Sequence, residues 1–356
     1  QRRRSMTLDE ILDNIEPLDI EAMEQAKGRW NSIAKPLHSL GKLEEHIIRI
    51  AGISKDAGVD IEKKALIVMC ADNGVVEEGV TQTGQEVTAV VAENFLTGNT
   101  SAAIMGRRAG TEVFPIDIGM ARKTKVPDYK VAYGTKNMAR GPAMSREEAL
   151  QAVMTGIRLV KEKKEEGFKL LATGEMGIGN TTTSSAVSTL LLGEMPERMT
   201  GRGAGLTSEG LEHKVSVIKR AIERNRPVAA DTLDVLSKVG GFDIAGLTGV
   251  FLGGAYYRIP VVIDGFISAA AALAAYKLCP FAREYMLASH VSGEPGMKLI
   301  LDELGTEAVL TADMCLGEGT GALCYLPVLD MAAEVYHKMS TFSENNIEDY
   351  EELGDR

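Results

Sequence analysis

Two glutamates stand out among the residues whose types and spacing could do chemistry, because each is set in a glycine-rich loop. Glu175 lies in Gly174-Glu175-Met176-Gly177-Ile178-Gly179-Asn180-Thr181-Thr182-Thr183, and Glu318 lies in Leu316-Gly317-Glu318-Gly319-Thr320-Gly321. At Glu318, glycines on both sides let a backbone approach a ligand closely while the carboxylate projects into a cleft. A partly desolvated glutamate there has a raised pKa and can take a proton from a weakly acidic nitrogen or hydroxyl. Glu318 would equally complement the positive end of the helix that follows it, and the motif alone does not separate the two roles. Glu175 is suited to orienting a base or binding sugar hydroxyls, and equally to receiving backbone N–H groups within its own loop.

The loop around Glu175 carries a second kind of chemistry. The apolar run Leu170-Leu171-Ala172 reads as a buried strand and Thr181 to Leu192 as a helix. The glycines therefore sit where backbone N–H groups and the positive helix end converge on an anion. Asn180 and the threonines, Thr181 and Thr182 among them, can cap that helix and donate to phosphate oxygens. Gly174 to Thr181 has the spacing of G-x-x-x-x-G-K-[ST], but Asn180 stands where the lysine belongs, which favours a singly phosphorylated ligand. G-x-G-x-x-G fails as well, since Thr182 replaces the third glycine. A tight turn with no ligand is the alternative. Arg202, between Gly201 and Gly203, can give a charge to phosphate or carboxylate. Val261-Val262-Ile263-Asp264 offers one acid where a phosphoribosyl pyrophosphate motif needs two, so a magnesium-pyrophosphate donor is not expected.

The elements that must position these loops alternate. Strands are expected at Ala65 to Cys70, Glu112 to Ile118, Leu170 to Ala172, Pro260 to Asp264 and Glu307 to Leu310. Helices are expected at Val87 to Leu96, Glu147 to Glu165, Ser208 to Arg224, Ile244 to Tyr257 and Gly321 to Lys338. This order predicts an α/β fold: a Rossmann-like, mostly parallel sheet with helices on both faces. Ligands then bind outside the carboxyl ends of the strands, with Asp72-Gly74, Asp117-Gly119, Gly174-Thr182 and Asp264 expected to rim one cleft. Thr7-Leu8-Asp9-Glu10 reads as a capping box that opens an N-terminal helical stretch. Residues 7–53 with 322–342 are expected to form a small helical domain, and residues 54–321 a large α/β domain carrying the active site. Residues 1–6 read as a tag or disordered start, and 343–356 as an acidic, solvated tail.

Composition narrows the class. The chain has 356 residues, 45% of them hydrophobic, and a formal net charge of -11 without a compensating basic stripe, which argues against nucleic acid as a partner. The four cysteines show no C-x-x-C pair and the five histidines are scattered, so reduced thiols in a cytoplasmic protein and no protein-bound metal are expected. The alanine-rich run from Gly265 to Tyr276 is too short to span a bilayer, so no membrane segment is expected.

Several long motifs appear in one order: Ala34-Lys35-Pro36, Ser39-Leu40-Gly41-Lys42-Leu43-Glu44, Ala71-Asp72 with Gly74, Glu77-Glu78-Gly79-Val80, Gln85-Glu86-Val87-Thr88, Gly141-Pro142-Ala143-Met144, the Gly174 loop, Asp264-Gly265-Phe266-Ile267 and Gly317-Glu318-Gly319-Thr320-Gly321. From about Pro17 to Leu329 the chain resembles the nicotinate-nucleotide:dimethylbenzimidazole phosphoribosyltransferase family. The resemblance implies transfer of 5-phosphoribosyl from nicotinate mononucleotide to an aromatic base, without a cofactor, in the assembly of cobamides. It implies Glu318 as catalytic base, Glu175 as a stabiliser of the ribosyl cation, and a phosphate and nucleotide site at Gly174, Gly177, Ile178, Gly179, Asn180, Thr181, Thr182, Arg202, Gly203 and Asp264. Acceptor contacts are implied at Asn73, Thr81, Thr83, Gln85 and Leu316. The family forms dimers, so a homodimer is expected, with a heterodimer alongside a paralogous, active chain as the alternative reading.

The departures cluster on the acceptor side. Asn73 replaces a usual histidine, Thr83-Gly84 a usual Tyr-Pro, and Val291 and Met297 stand where Arg and His are common. These changes remove an aromatic surface, which suggests an altered acceptor such as a variant azole, a purine or a phenol.

Overall fold

A computed structural model describes residues 6–353. The tag or disordered start expected at residues 1–6 therefore lies, Met6 aside, outside the described residues. Five strands form one parallel sheet: β1 (Lys64–Ala71), β2 (Thr111–Gly119), β3 (Leu170–Met176), β4 (Val261–Ile263) and β5 (Met286–Ala288), in the order β2-β1-β3-β4-β5. All eight residues of β1 are buried: Lys64 pairs with Asp330 at 2.9 Å, and the seven that follow are the unbroken apolar run that a parallel sheet requires. Alternation along β1 sends Ala65, Ile67 and Met69 into one core and Leu66, Val68 and Cys70 into a second on the opposite face. Helices Arg146–Glu165, Phe242–Tyr257 and Phe266–Leu278 cover the first face. The second core is shared with helices Ile20–Ser32, Lys42–Ser54 and Thr320–Lys338, where Trp30 meets Tyr336 edge-on at 5.1 Å.

From β1 the chain crosses to β2 on one side and then to β3 on the other, which makes the crevice between β1 and β3 the topological switch point. The loops after the strand ends there are free to hold a ligand. The glycines of Phe242–Tyr257 serve packing instead: a Cβ at Gly249 would collide with the Val153 carbonyl of the neighbouring helix. Packing also explains Gly253-Gly254 without any ligand, since a Cβ at Gly253 would press on Val160 of that helix and one at Gly254 on Val261 of β4.

Some expectations need correction. The strand expected at Glu307 to Leu310 is β7 (Leu310–Thr311), paired with β6 (His290–Val291) in a separate two-stranded sheet. Asp117 does not rim the cleft, because its carboxylate pairs with Lys130 at 2.7 Å and takes the Met120 N–H. The acidic tail is exposed at every described position from 343 to 353, with Tyr350 packing on Phe342 at 4.9 Å and Glu352 reaching His38 at 2.7 Å. Among the described residues no helix is long and apolar enough to cross a membrane.

Candidate active site

A cavity of about 350 Å³ opens at the switch point, and both glycine loops line it. Glu318 is held there in a strained backbone state, with φ 62 between Gly317 and Gly319, each at φ 93. A left-handed non-glycine residue costs roughly 1–3 kcal/mol and persists only where its surroundings fix it. Two contacts do so. Gly174 lies directly beneath, where a Cβ would stand 2.5 Å from the Glu318 carbonyl oxygen. The Ala102 N–H, in the first turn of helix Ser101–Arg108, donates to Glu318 Oε2 at 3.1 Å. Partial burial pushes the carboxyl pKa up, and the Ala102 bond restrains the rise. Oε1 makes no hydrogen bond among the described residues, so a proton acceptor stays available in the cleft. Gly174 is thus the floor under Glu318 and does not itself line the cavity.

Glu175 ends in a buried cluster. The Asn180 amide donates to Glu175 Oε2 and, at 3.1 Å, to Asp243 Oδ2. Burial, reinforced by the charges of Asp243 and Asp264, pushes Glu175 up to about 8, while burial lifts Asp243 to about 6. With both amide hydrogens held by carboxylates, Asn180 does not cap its helix or present its side chain to a phosphate. The N-cap of helix Asn180–Leu192 is Gly179, which lacks a side chain to bond. Asp243 went unnoticed in the sequence, although an acid opening the apolar helix Phe242–Tyr257 was a usable signal.

A cation that lines the cavity also went unnoticed. Lys214 is 1% exposed, and its Nζ donates to Thr181 Oγ1 at 2.8 Å and to the Gly201 carbonyl at 3.0 Å. Burial lowers its pKa to about 8, against a smaller opposite pull from Glu294. On helix Ser208–Asn225 it shares the buried face with Val217, Ile218 and Ala221, so a lysine on an apolar stripe was the missed signal. Arg202 lines the cavity, but its guanidinium is engaged locally, donating to Leu206 O at 2.8 Å and to Ser208 Oγ at 2.9 Å at the start of the following helix. Gly203 donates its N–H to Glu294 Oε1 at 3.1 Å.

Of the remaining expected site residues, Gly177, Ile178, Gly179 and Thr181 line the cavity, as do Thr81, Thr83 and Leu316. Thr182 is fully buried inside its helix, facing away. Asn73 and Gln85 form a layer behind the wall, with the Gln85 amide donating to the Asn73 carbonyl at 3.1 Å. Asp264 borders the cavity, but its carboxylate accepts the N–H groups of Gly319 and Ala322, so it is not free to bind a nucleotide. Val80, Val91, Met176, Met314 and Leu316 give the wall near Glu318 an apolar, aliphatic character, with Phe266 the one phenyl ring lining the cavity among the described residues.

A parallel α/β sheet that brings a buried lysine and a strained glutamate into one cleft at its switch point has the layout of an enzyme site. Residues 15–347 match the family model described as Phosphoribosyltransferase, and the chain belongs to that family. It is 48% identical over 351 residues to the nicotinate-nucleotide–dimethylbenzimidazole phosphoribosyltransferase of Ruminiclostridium cellulolyticum, covering 98% of this chain and 100% of that one. The protein of the same name from Acetivibrio thermocellus is 48% identical, covering 97% and 99%. The crystal structure of CobT from Thermus thermophilus superposes with a TM-score of 0.88 at 38% identity, covering 93% of this chain and 100% of that one. The chain is therefore a phosphoribosyltransferase.

Proposed function

We propose that the chain transfers the 5-phosphoribosyl group of nicotinate mononucleotide to a ring nitrogen of a cobamide lower-ligand base, giving an α-riboside 5′-phosphate and nicotinate. The observation that carries this reading is the division of labour in one cavity: Lys214 with Thr181 and Gly203 marks a phosphate end, and Glu318 offers a free carboxylate oxygen beside an apolar wall.

In the donor, the C1′–N bond breaks with its electron pair passing to the pyridinium nitrogen, which leaves as neutral-ring nicotinate and needs no general acid. The acceptor nitrogen's lone pair forms the new bond to C1′. The proton on the acceptor's other nitrogen passes to Glu318. Glu175, fixed beside the same cavity, faces the positive charge that develops on the ribose and stabilises it once ionised. The phosphate is gripped by Lys214, with the Gly179 and Thr181 amides adding their dipoles, since the Ile178 N–H goes to Thr88 Oγ1 and the Asn180 N–H to the Gly177 carbonyl. This reading replaces Asn180 and Arg202 by Lys214 as the principal phosphate contact.

The acceptor wall supports bases other than dimethylbenzimidazole as well, since two methionines adapt to different shapes. A homodimer is the proposed assembly, and the relatives' shared name favours an active chain over a supporting subunit. The test is the purified chain alone with nicotinate mononucleotide and a panel of dimethylbenzimidazole, other azoles, adenine and phenols. Equimolar nicotinate and riboside phosphate are expected. Release of ribose 5-phosphate, or turnover only after a second chain is added, would overturn the reading.

A further inference from the structure

Asp264 closes β4 almost fully buried, and His290 is the basic group that approaches it, with Nε2 standing 3.8 Å from Oδ1. Burial lowers the His290 pKa, disfavouring its charged form. The carboxylate makes hydrogen bonds instead: Oδ2 accepts the Gly319 N–H at 3.1 Å and Oδ1 the Ala322 N–H at 2.9 Å. Helix Thr320–Lys338 has Gly319 as its N-cap and therefore no capping side chain of its own. Its free amides are satisfied by an acid delivered from the end of another strand.

The residue just before this cap is Glu318. A run of three left-handed residues, Gly317 to Gly319, has little intrinsic preference for one shape and takes its form from what holds it. Gly174 supports the run from below, Ala102 holds the Glu318 carboxylate, and Asp264 fixes the chain immediately beyond.

We propose that Asp264 is the positioning residue for Glu318: by holding the Gly319 and Ala322 amides it sets the turn that aims the Glu318 carboxylate at the acceptor. The inference rests on the reading of Glu318 as the base. With its two oxygens engaged by the Gly319 and Ala322 amides, Asp264 acts on kcat through Glu318.

A double-mutant cycle with nicotinate mononucleotide and dimethylbenzimidazole tests it. Asp264→Asn keeps the size and one acceptor oxygen and loses the second. It is expected to lower kcat on the order of 10- to 100-fold, the cost of moving a reacting group by about 1 Å. The KM for nicotinate mononucleotide stays within about 2-fold. In an E318Q background the same change costs less than about 2-fold, because no base is left to position. A loss that multiplies with E318Q, or a KM raised tenfold with kcat kept, overturns the positioning role. E318Q turning over like the wild type defeats the general-base reading instead. E318Q slow with D264N fully active defeats only this inference. Should D264N fail to fold, Asp264→Ser, with one acceptor at shorter reach, is read by the same cycle.

Discussion

Replacing Glu175 with Gln should flatten the pH dependence of stability on the alkaline side of neutrality. An ordinary glutamate titrates near 4.5, whereas burial brings Glu175 in the folded chain to about 8. Between those values the native state keeps a proton that the unfolded state has lost. This contribution is fully present below about 4.5 and disappears as pH rises through about 8. The slope is about 1.4 kcal/mol per pH unit, and integration from pH 6.5 to pH 8 gives a loss of about 1.5 kcal/mol. That window lies above Asp243 and Asp264, both near 6, and the opposite-signed contribution of Lys214, which sets in near 8, is shared by both proteins and cancels in their comparison. Gln is neutral and similar in shape to protonated Glu, and its carbonyl can still accept the Asn180 amide. The variant should therefore match the wild type only below about pH 4.5, exceed it by about 2.7 kcal/mol at pH 6.5, and gain about 1.5 kcal/mol more by pH 8. Urea midpoints at each pH, at constant ionic strength, give the comparison. Parallel stability curves for the two proteins would refute the claim that Glu175 is held protonated by its burial.

Two further outcomes follow from the same geometry. Because Glu175 must ionise to face a cationic donor, kcat/KM for nicotinate mononucleotide should rise with pH toward about 8, and E175Q should lose that limb; an unchanged profile counts against the role. Lys214→Met should raise the KM for nicotinate mononucleotide about 10- to 100-fold, the worth of a charged hydrogen bond to phosphate, and should abolish the alkaline decline in affinity expected as Lys214 deprotonates near 8. An unaltered KM would remove Lys214 from the phosphate site.

The legibility of this chain divides by distance. The strand, loop and helix around Gly174 could be read because the apolar pattern changes from a continuous run to a helical one within a few residues. Glu318 was legible from its flanking glycines, which the observed left-handed backbone requires. What could not be read is which partner each polar side chain meets. Asn180 has the chemistry of a phosphate donor, but Asp243, 63 residues away, shares its amide with Glu175. Lys214 and Asp243 sit in helices whose single polar residues ordinarily face solvent, and only tertiary packing turns these two inward. Asp264 looked like a ligand because it ends a strand at the cleft, yet its bonds run to the start of a helix that follows 55 residues later. β5 has only three residues and no alternation to reveal it.

The measurement that bears most directly on the account is the turnover of Glu318→Gln with saturating nicotinate mononucleotide and dimethylbenzimidazole. Gln fills the same place and can still accept the Ala102 N–H through its carbonyl, but cannot take the acceptor's proton. The expected result is a kcat lowered about 100- to 10,000-fold, the usual worth of a positioned base, with the KM for nicotinate mononucleotide little changed. A kcat close to that of the wild type would contradict the assignment of Glu318 as the base.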